Sequence, residues 1–255
     1  MQKVDSFMIA GMLGLDFLGV YRIAMYMGII SEIPSRSLFA IAQPIAAEAI
    51  KNNDTSALEK LLKSVSINLM LISSAVFLLL YINVDNIFAL IPNGDKYESG
   101  KWVMVFIALA GVINITFTFS LNILQLSKHY MYYLPFLIFL SVLGILGNKL
   151  LIPYLGINGA ALAKVITYTV FGLLLTLFVF FKLKIQPLTK NHGKLLLIIL
   201  TVLAVHHLLP VLENHFLDAL YRTVIVATIG IVAVYKFNIS PDANRIADKM
   251  LKRKK

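Results

Sequence analysis

The chain has 255 residues, 59% hydrophobic and only 14% charged, with a mean hydropathy of +0.82. A soluble domain carries about a quarter charged residues, so the composition is that of a polytopic membrane protein. The formal net charge is +10, but its basic residues lie in short connectors and the tail, which argues for topology signals and against nucleic-acid binding; with no cysteine, disulfides and thiolate metal sites are excluded.

Residues 6–15 form an apolar stub, too short to span a bilayer alone. It reads as the end of a helix whose beginning is missing, so the chain is expected to be a piece of a longer one. Helices are expected near 17–50, 65–91, 102–126, 131–152, 157–181, 195–212 and 217–237. The fold class is therefore an all-α transmembrane bundle of about seven helices plus the stub. A span needs about 20 residues, so the 17–50 helix must bend, tilt or run into the interface. Pro34 and Pro44 supply the bends. After Lys51-Asn52-Asn53-Asp54, Ser56-Ala57-Leu58-Glu59 has the pattern of a capping box. Leu58, Leu61, Leu62 and Val65 then recur at helical spacing opposite Glu59, Lys60 and Lys63, as in an amphipathic start near the membrane surface. Pro92-Asn93-Gly94-Asp95 and Pro153-Tyr154-Leu155-Gly156 are turn signals. Residues 238–255 form a basic tail, expected to anchor topology near anionic lipid.

Connector charge alternates. Residues 51–63, 127–130, 182–194 and 236–255 carry 15 Lys or Arg, against 4 in 93–101, 149–156 and 213–222. Short loops rich in Lys and Arg stay cytoplasmic. Lys184, Lys190 and the tail are therefore expected in the cytosol, and Lys96 and Arg222 outside.

Charge inside an apolar helix is the most informative feature. Arg22, Glu32 and Arg36 interrupt the 17–50 run, and such a charge at the bilayer centre costs about 2.5–3.5 kcal/mol. Two of the three are cations, so a cavity lined by them would suit an anion; snorkelling to the headgroups is the simpler role. Glu32 and Arg36 are spaced for an intrahelical ion pair. Lys164, about a third of the way into the 157–181 helix, is a further candidate cavity cation, following a run of small residues suited to close helix packing. Asn114 and Asn122 share a face of the 102–126 helix, with Gln125 beyond; they could line a polar pathway or bond to neighbouring helices. His206-His207 cannot easily chelate together, and a structural or interfacial role is expected. Trp102, Tyr130, Tyr132, Tyr133 and Tyr154 read as interfacial anchors. Asp5, Asp16 and Asp85 fall at segment ends, where water is expected to reach them. There is no nucleophile–base constellation, phosphate loop, zinc spacing or calcium loop, so neither enzymatic activity nor a cofactor is expected.

Gly19-Val20-Tyr21-Arg22-Ile23-Ala24, Glu32-Ile33-Pro34 and Ala46-Ala47-Glu48-Ala49 resemble the eighth-helix region of polysaccharide flippases of the multidrug/oligosaccharidyl-lipid/polysaccharide exporter superfamily. Residues 85–92 with Tyr97 and Gly100-Lys101-Trp102 are similar to its next helix pair. Leu155-Gly156-Ile157-Asn158-Gly159-Ala160-Ala161 resembles the opening of its twelfth helix. The resemblance covers about residues 5–182. It implies one lobe of a two-lobe, alternating-access transporter of the bacterial inner membrane. A lipid-linked oligosaccharide would be its substrate, with Arg22 and Arg36 as cavity cations. The partners implied are that substrate, membrane lipids and an N-terminal lobe this chain lacks. A cation-coupled drug exporter would favour an acidic pocket, whereas Glu32 is the only deep acid; a nonfunctional or partner-dependent fragment is the other alternative. A glycan-polymerising enzyme would need large external loops, and the longest here is about ten residues.

Overall fold

The computed structural model describes residues 2–92 and 94–252. Among the described residues the chain is helical, with no strand. In order the helices are α1 (Gln2–Leu13), α2 (Leu15–Gly28), α3 (Pro34–Lys51), α4 (Thr55–Ile82), α5 (Val84–Leu90), α6 (Lys101–Leu126), α7 (Tyr133–Leu183), α8 (Lys190–Leu208), α9 (His215–Lys236) and α10 (Pro241–Lys252). Among the described residues, five helical segments are long and apolar enough to cross a membrane: Thr55–Ile82, Gly94–Leu126, Tyr130–Leu183, Lys190–Leu208 and His215–Lys236. An all-α bundle with several such helices is the architecture of a multi-pass membrane protein.

Helix α6 is the hub, packing against α2, α3, α4 and α7. Two thirds of its most apolar window (67%) is covered by neighbours, against 22% and 17% for α8 and α9, which therefore form the periphery. Three apolar clusters meet on α6. One joins α3, α4 and α7 through Ala46, Leu62, Phe119 and Leu175. A second joins α4, α8 and α9 through Phe77, Ala108, Val202 and Val226. The third joins α1, α2 and α7 through Ile9, Tyr21, Met104 and Ile152.

Helix α7 is folded back on itself. Gly156 has φ 57° and ψ −138°, and residues on either side of it then pair. The Cβ of Ala163 lies beside Gly147, and Phe136 packs edge-on against Phe171 and Phe178. The two arms thus correspond to the separate helices expected at 131–152 and 157–181. The turn is one residue sharp because glycine alone enters this region without strain. Gly156→Ala is expected to cost about 1–3 kcal/mol, although the added methyl meets no neighbour within 4 Å. Gly193→Ala, equally uncrowded but on a helix with no positive φ, should cost nothing. Thermal unfolding in detergent separates the two.

Other local expectations shift. Helix α4 is capped by Asp54, whose Oδ1 accepts from Ala57 N at 2.9 Å, not by Ser56. Asp54 reaches the third amide of the first turn, so the helix starts earlier than the capping-box pattern implies. Leu58, Leu62 and Val65 are buried as expected, and Glu59 pairs with Lys63. The expected 17–50 helix is interrupted between α2 and α3. Helix α3 runs through Pro44 unbroken. The basic tail includes a helix, α10, which folds back on α4: Ser64 and Asn68 donate to Asp242 Oδ2 at 2.8 and 3.0 Å. Its last residues, 253–255, lie outside the described residues.

Candidate functional site

Between α2 and α3 the chain tightens into a 3-10 turn at Ile29–Glu32, and α3 begins at Pro34. Proline has no amide hydrogen and is suited to the first position of a helix. Packing fixes the place of the turn. A Cβ on Gly28 would meet Ile107 at 2.8 Å, and one on Gly111 would meet Ser31 Oγ at 2.3 Å. These two glycines let the turn press onto α6. Ser31 Oγ donates to the carbonyls of Gly28 (3.0 Å) and Ala108 (3.2 Å), and Ser73 Oγ donates to the Ser31 carbonyl (2.8 Å). The interruption lies beside residues 104–114, in the middle of the α6 span. Mid-span 3-10 turns and interrupted helices at this depth are typical of hinges and of transporter binding sites.

Glu32 sits at the end of this turn. Its carboxylate does not meet Arg36; Asn114 Nδ2 approaches its Oε1 at 3.5 Å. The expected ion pair therefore gives way to an interhelical contact, because the tight turn replaces the regular i, i+4 geometry. The Thr118 hydroxyl donates to the Asn114 carbonyl at 2.7 Å and lies 3.3 Å from the Asn114 Oδ1. Asn122 lies half-buried two turns further along α6, and Gln125 is exposed.

Arg22 and Arg36 flank the interruption. Each is exposed, and neither has an ion pair or hydrogen bond among the described residues. Arg22 belongs to an exposed stripe of α2 with Asp16, Gly19 and Tyr26, spaced three, three and four residues apart. Arg36 starts a stripe on α3 that continues through Ala40, Gln43 and Ala47. Two exposed, unpaired guanidiniums call for water, lipid headgroups or an anion as partners, not lipid tails.

Lys164 is not with them. It is 4% exposed, and its Nζ lies 2.7 Å from Asp5 Oδ2. Asp5, expected at a wet helix end, is 1% exposed. Its other oxygen accepts from Asn148 Nδ2 at 2.8 Å, and the Tyr21 hydroxyl approaches Oδ2 at 3.4 Å. Asp5 thus joins α1 to α2 and to both arms of α7 across Gly156. No local pattern announces this group, because Asp5 and Lys164 are 159 residues apart.

A second buried pair closes the opposite side. Arg222 Nε donates to Asp218 Oδ2 at 2.7 Å, with both side chains under 10% exposed. Arg222, expected in an external connector, is instead buried within α9. It also donates to His206 Nδ1 at 3.0 Å and to the Pro210 carbonyl at 3.0 Å. His207 lies 3.3 Å from the Tyr81 hydroxyl. The His206-His207 pair thus has structural hydrogen bonds. Among the described residues, no group of three or more His, Asp or Glu is arranged to hold a metal. Compared with protein-family models and with curated proteins, the chain matches none.

Proposed function

We propose that the chain is one lobe of a flippase. It would move a polyprenyl-diphosphate-linked oligosaccharide across the bacterial inner membrane by alternating access. The observation that carries this reading is the interrupted α2–α3 segment at mid-span, with exposed, unpaired Arg22 and Arg36 on either side of it. A diphosphate would recover the solvation those guanidiniums lose, through charge-assisted and bidentate hydrogen bonds. A second lobe, facing the α2–α3 stripes, would complete the cavity. Glu32, free of Arg36 and approached by Asn114, is the carboxylate best placed to couple an ion to the lobe's motion. Asn114 and Asn122 lie on the same side of α6 and suit sugar hydroxyls. The excess of Lys and Arg in alternate connectors supports a cytosolic C-terminus.

The test is export in a flippase-deficient bacterium carrying the complete two-lobe transporter. Arg22→Lys and Arg36→Lys should reduce export, because an ammonium cannot reproduce the guanidinium fork. The alanine variants should reduce it by at least tenfold at unchanged protein level, on the order of the loss of one charged hydrogen bond. Since Glu32 is held by Asn114, adding Glu32→Gln should not rescue Arg36→Gln. Normal export from both alanine variants would overturn the reading.

A further inference from the structure

An apolar cavity lies away from the interrupted helix. It is a groove of about 420 Å³ between α4, α8 and α9, lined by apolar side chains such as Leu71, Leu78, Ile198 and Val226. Helix α10 crosses one end through Ala243, Asn244 and Ala247. Its position is fixed by polar contacts. Asp242 is bound by Ser64 and Asn68, Asn244 donates to the Tyr235 carbonyl at 3.1 Å, and the Tyr235 hydroxyl donates to Asp248 at 2.8 Å. The Ser64 and Asn68 hydrogen bonds also hold the Asp242 carboxyl below the usual carboxylate range.

Both acids of α10 are thus turned toward protein donors. Three cations border the groove: Lys194 precedes the lining residue Leu195, Lys236 follows Tyr235, and Arg245 follows Asn244. All three are exposed with no salt bridge among the described residues, and Arg245 lies one turn after Asp242, on whose carboxyl it acts from a distance. They belong to the same end of the bundle, because Asn191 donates to the carbonyls of Asn238 and Ile239 at 3.3 and 2.8 Å. An apolar groove on a membrane bundle meets lipid tails, which are as apolar as its own lining. The lining therefore holds a chain without choosing the lipid, and the choice falls to the headgroup.

We propose that this groove holds one acyl chain of an anionic phospholipid of the surrounding bilayer, with the phosphate seated among Lys194, Lys236 and Arg245 under the cover of α10. Each cation near an anionic surface is worth about fivefold in partition. Gly230 lines the groove and has nothing within 4 Å of an added Cβ, so a larger side chain there grows into the space the lipid would fill.

Native mass spectrometry of the purified chain, with equimolar phosphatidylglycerol and phosphatidylcholine of matched chains, tests this. The expected result is one retained lipid with at least a tenfold preference for phosphatidylglycerol. Lys194→Gln, Lys236→Gln and Arg245→Gln combined should abolish the preference while one lipid is still retained. Gly230→Leu should remove the lipid, with thermal unfolding unchanged. Ala227→Leu, which enters the groove from one turn away, gives an independent filling variant should Gly230→Leu not fold. Equal retention of both lipids, or an unaltered bound lipid in the folded filling variant, would overturn the proposal. So would displacement of phosphatidylglycerol by an equal concentration of polyprenyl phosphate, which would assign the groove to substrate.

Discussion

Removing either partner of the Asp5–Lys164 pair is expected to destabilise the protein by about 3–5 kcal/mol, while removing both restores most of the loss. Lys164→Met leaves a carboxylate that is 1% exposed, with Asn148 and Tyr21 as its remaining side-chain partners among the described residues. Asp5→Asn keeps the shape and one acceptor oxygen but strands an ammonium that is 4% exposed. In both cases the cost is that of an uncompensated charge without water. The double variant carries a neutral amide beside a thioether of similar length, and Asn148 can still donate to the amide oxygen. Unfolding midpoints of the four proteins in one detergent give the coupling directly. Additive losses would mean that each side chain acts through separate contacts. The functional consequence follows from the placement of the pair: Asp5 ties together two arms of α7 that meet at Gly156, and loosening it should also loosen that hairpin.

Arg222→Met should cost a similar amount, about 3–5 kcal/mol, but with a different rescue pattern. Arg222 compensates Asp218 and also binds His206 Nδ1 and the Pro210 carbonyl at the end of α8. Arg222→Lys keeps the charge but offers a single tetrahedral donor in place of the planar fork, so it should recover only part of the stability. Asp218→Asn with Arg222→Met removes the buried charge yet loses the hydrogen bonds to His206 and the Pro210 carbonyl, each worth about 0.5–1.5 kcal/mol. Incomplete recovery there, against near-full recovery for Asp5 and Lys164, is the expected contrast. Chemical denaturation of both double variants measures it. Full rescue by Arg222→Lys would show that charge alone matters at this site.

What the sequence made legible was decided by apolar runs long enough to cross a bilayer. The expected 102–126 helix is α6 almost to the residue, and the runs at 195–212 and 217–237 correspond to α8 and α9 within a few residues. Gly156 marks the reversal of α7 because one residue must supply a positive φ. What was not legible depends on tertiary contact. Proline suggested bends at both Pro34 and Pro44, but the chain yields where Gly28 and Gly111 allow α6 to approach. Glu32 and Arg36 had the spacing of an ion pair, yet a 3-10 turn separates them. Asp5 and Lys164 meet only through the fold. Asp218 and Arg222 are different: their i, i+4 spacing lies inside the expected 217–237 helix, but counting residues 213–222 as a connector placed Arg222 outside. Of the cations named from sequence, Arg22 and Arg36 are exposed and unpaired among the described residues, whereas Lys164 is buried against Asp5, a contact no local pattern announces.

The central claim is that the face carrying Arg22 and Arg36 opens to water inside the membrane. The chain has no cysteine, so Arg22→Cys and Arg36→Cys give a clean background for a membrane-impermeant thiol reagent. Only a thiolate in contact with water reacts. In the complete transporter in native membranes, both positions should label and be slowed by an added polyprenyl diphosphate. Leu173→Cys, half-exposed on the outer side of α7, should remain silent, and Asp54→Cys in the α3–α4 connector should label in opened vesicles. If Arg22→Cys and Arg36→Cys are as silent as Leu173→Cys while Asp54→Cys reacts, the two arginines face lipid or protein, and the water-filled anion cavity does not exist.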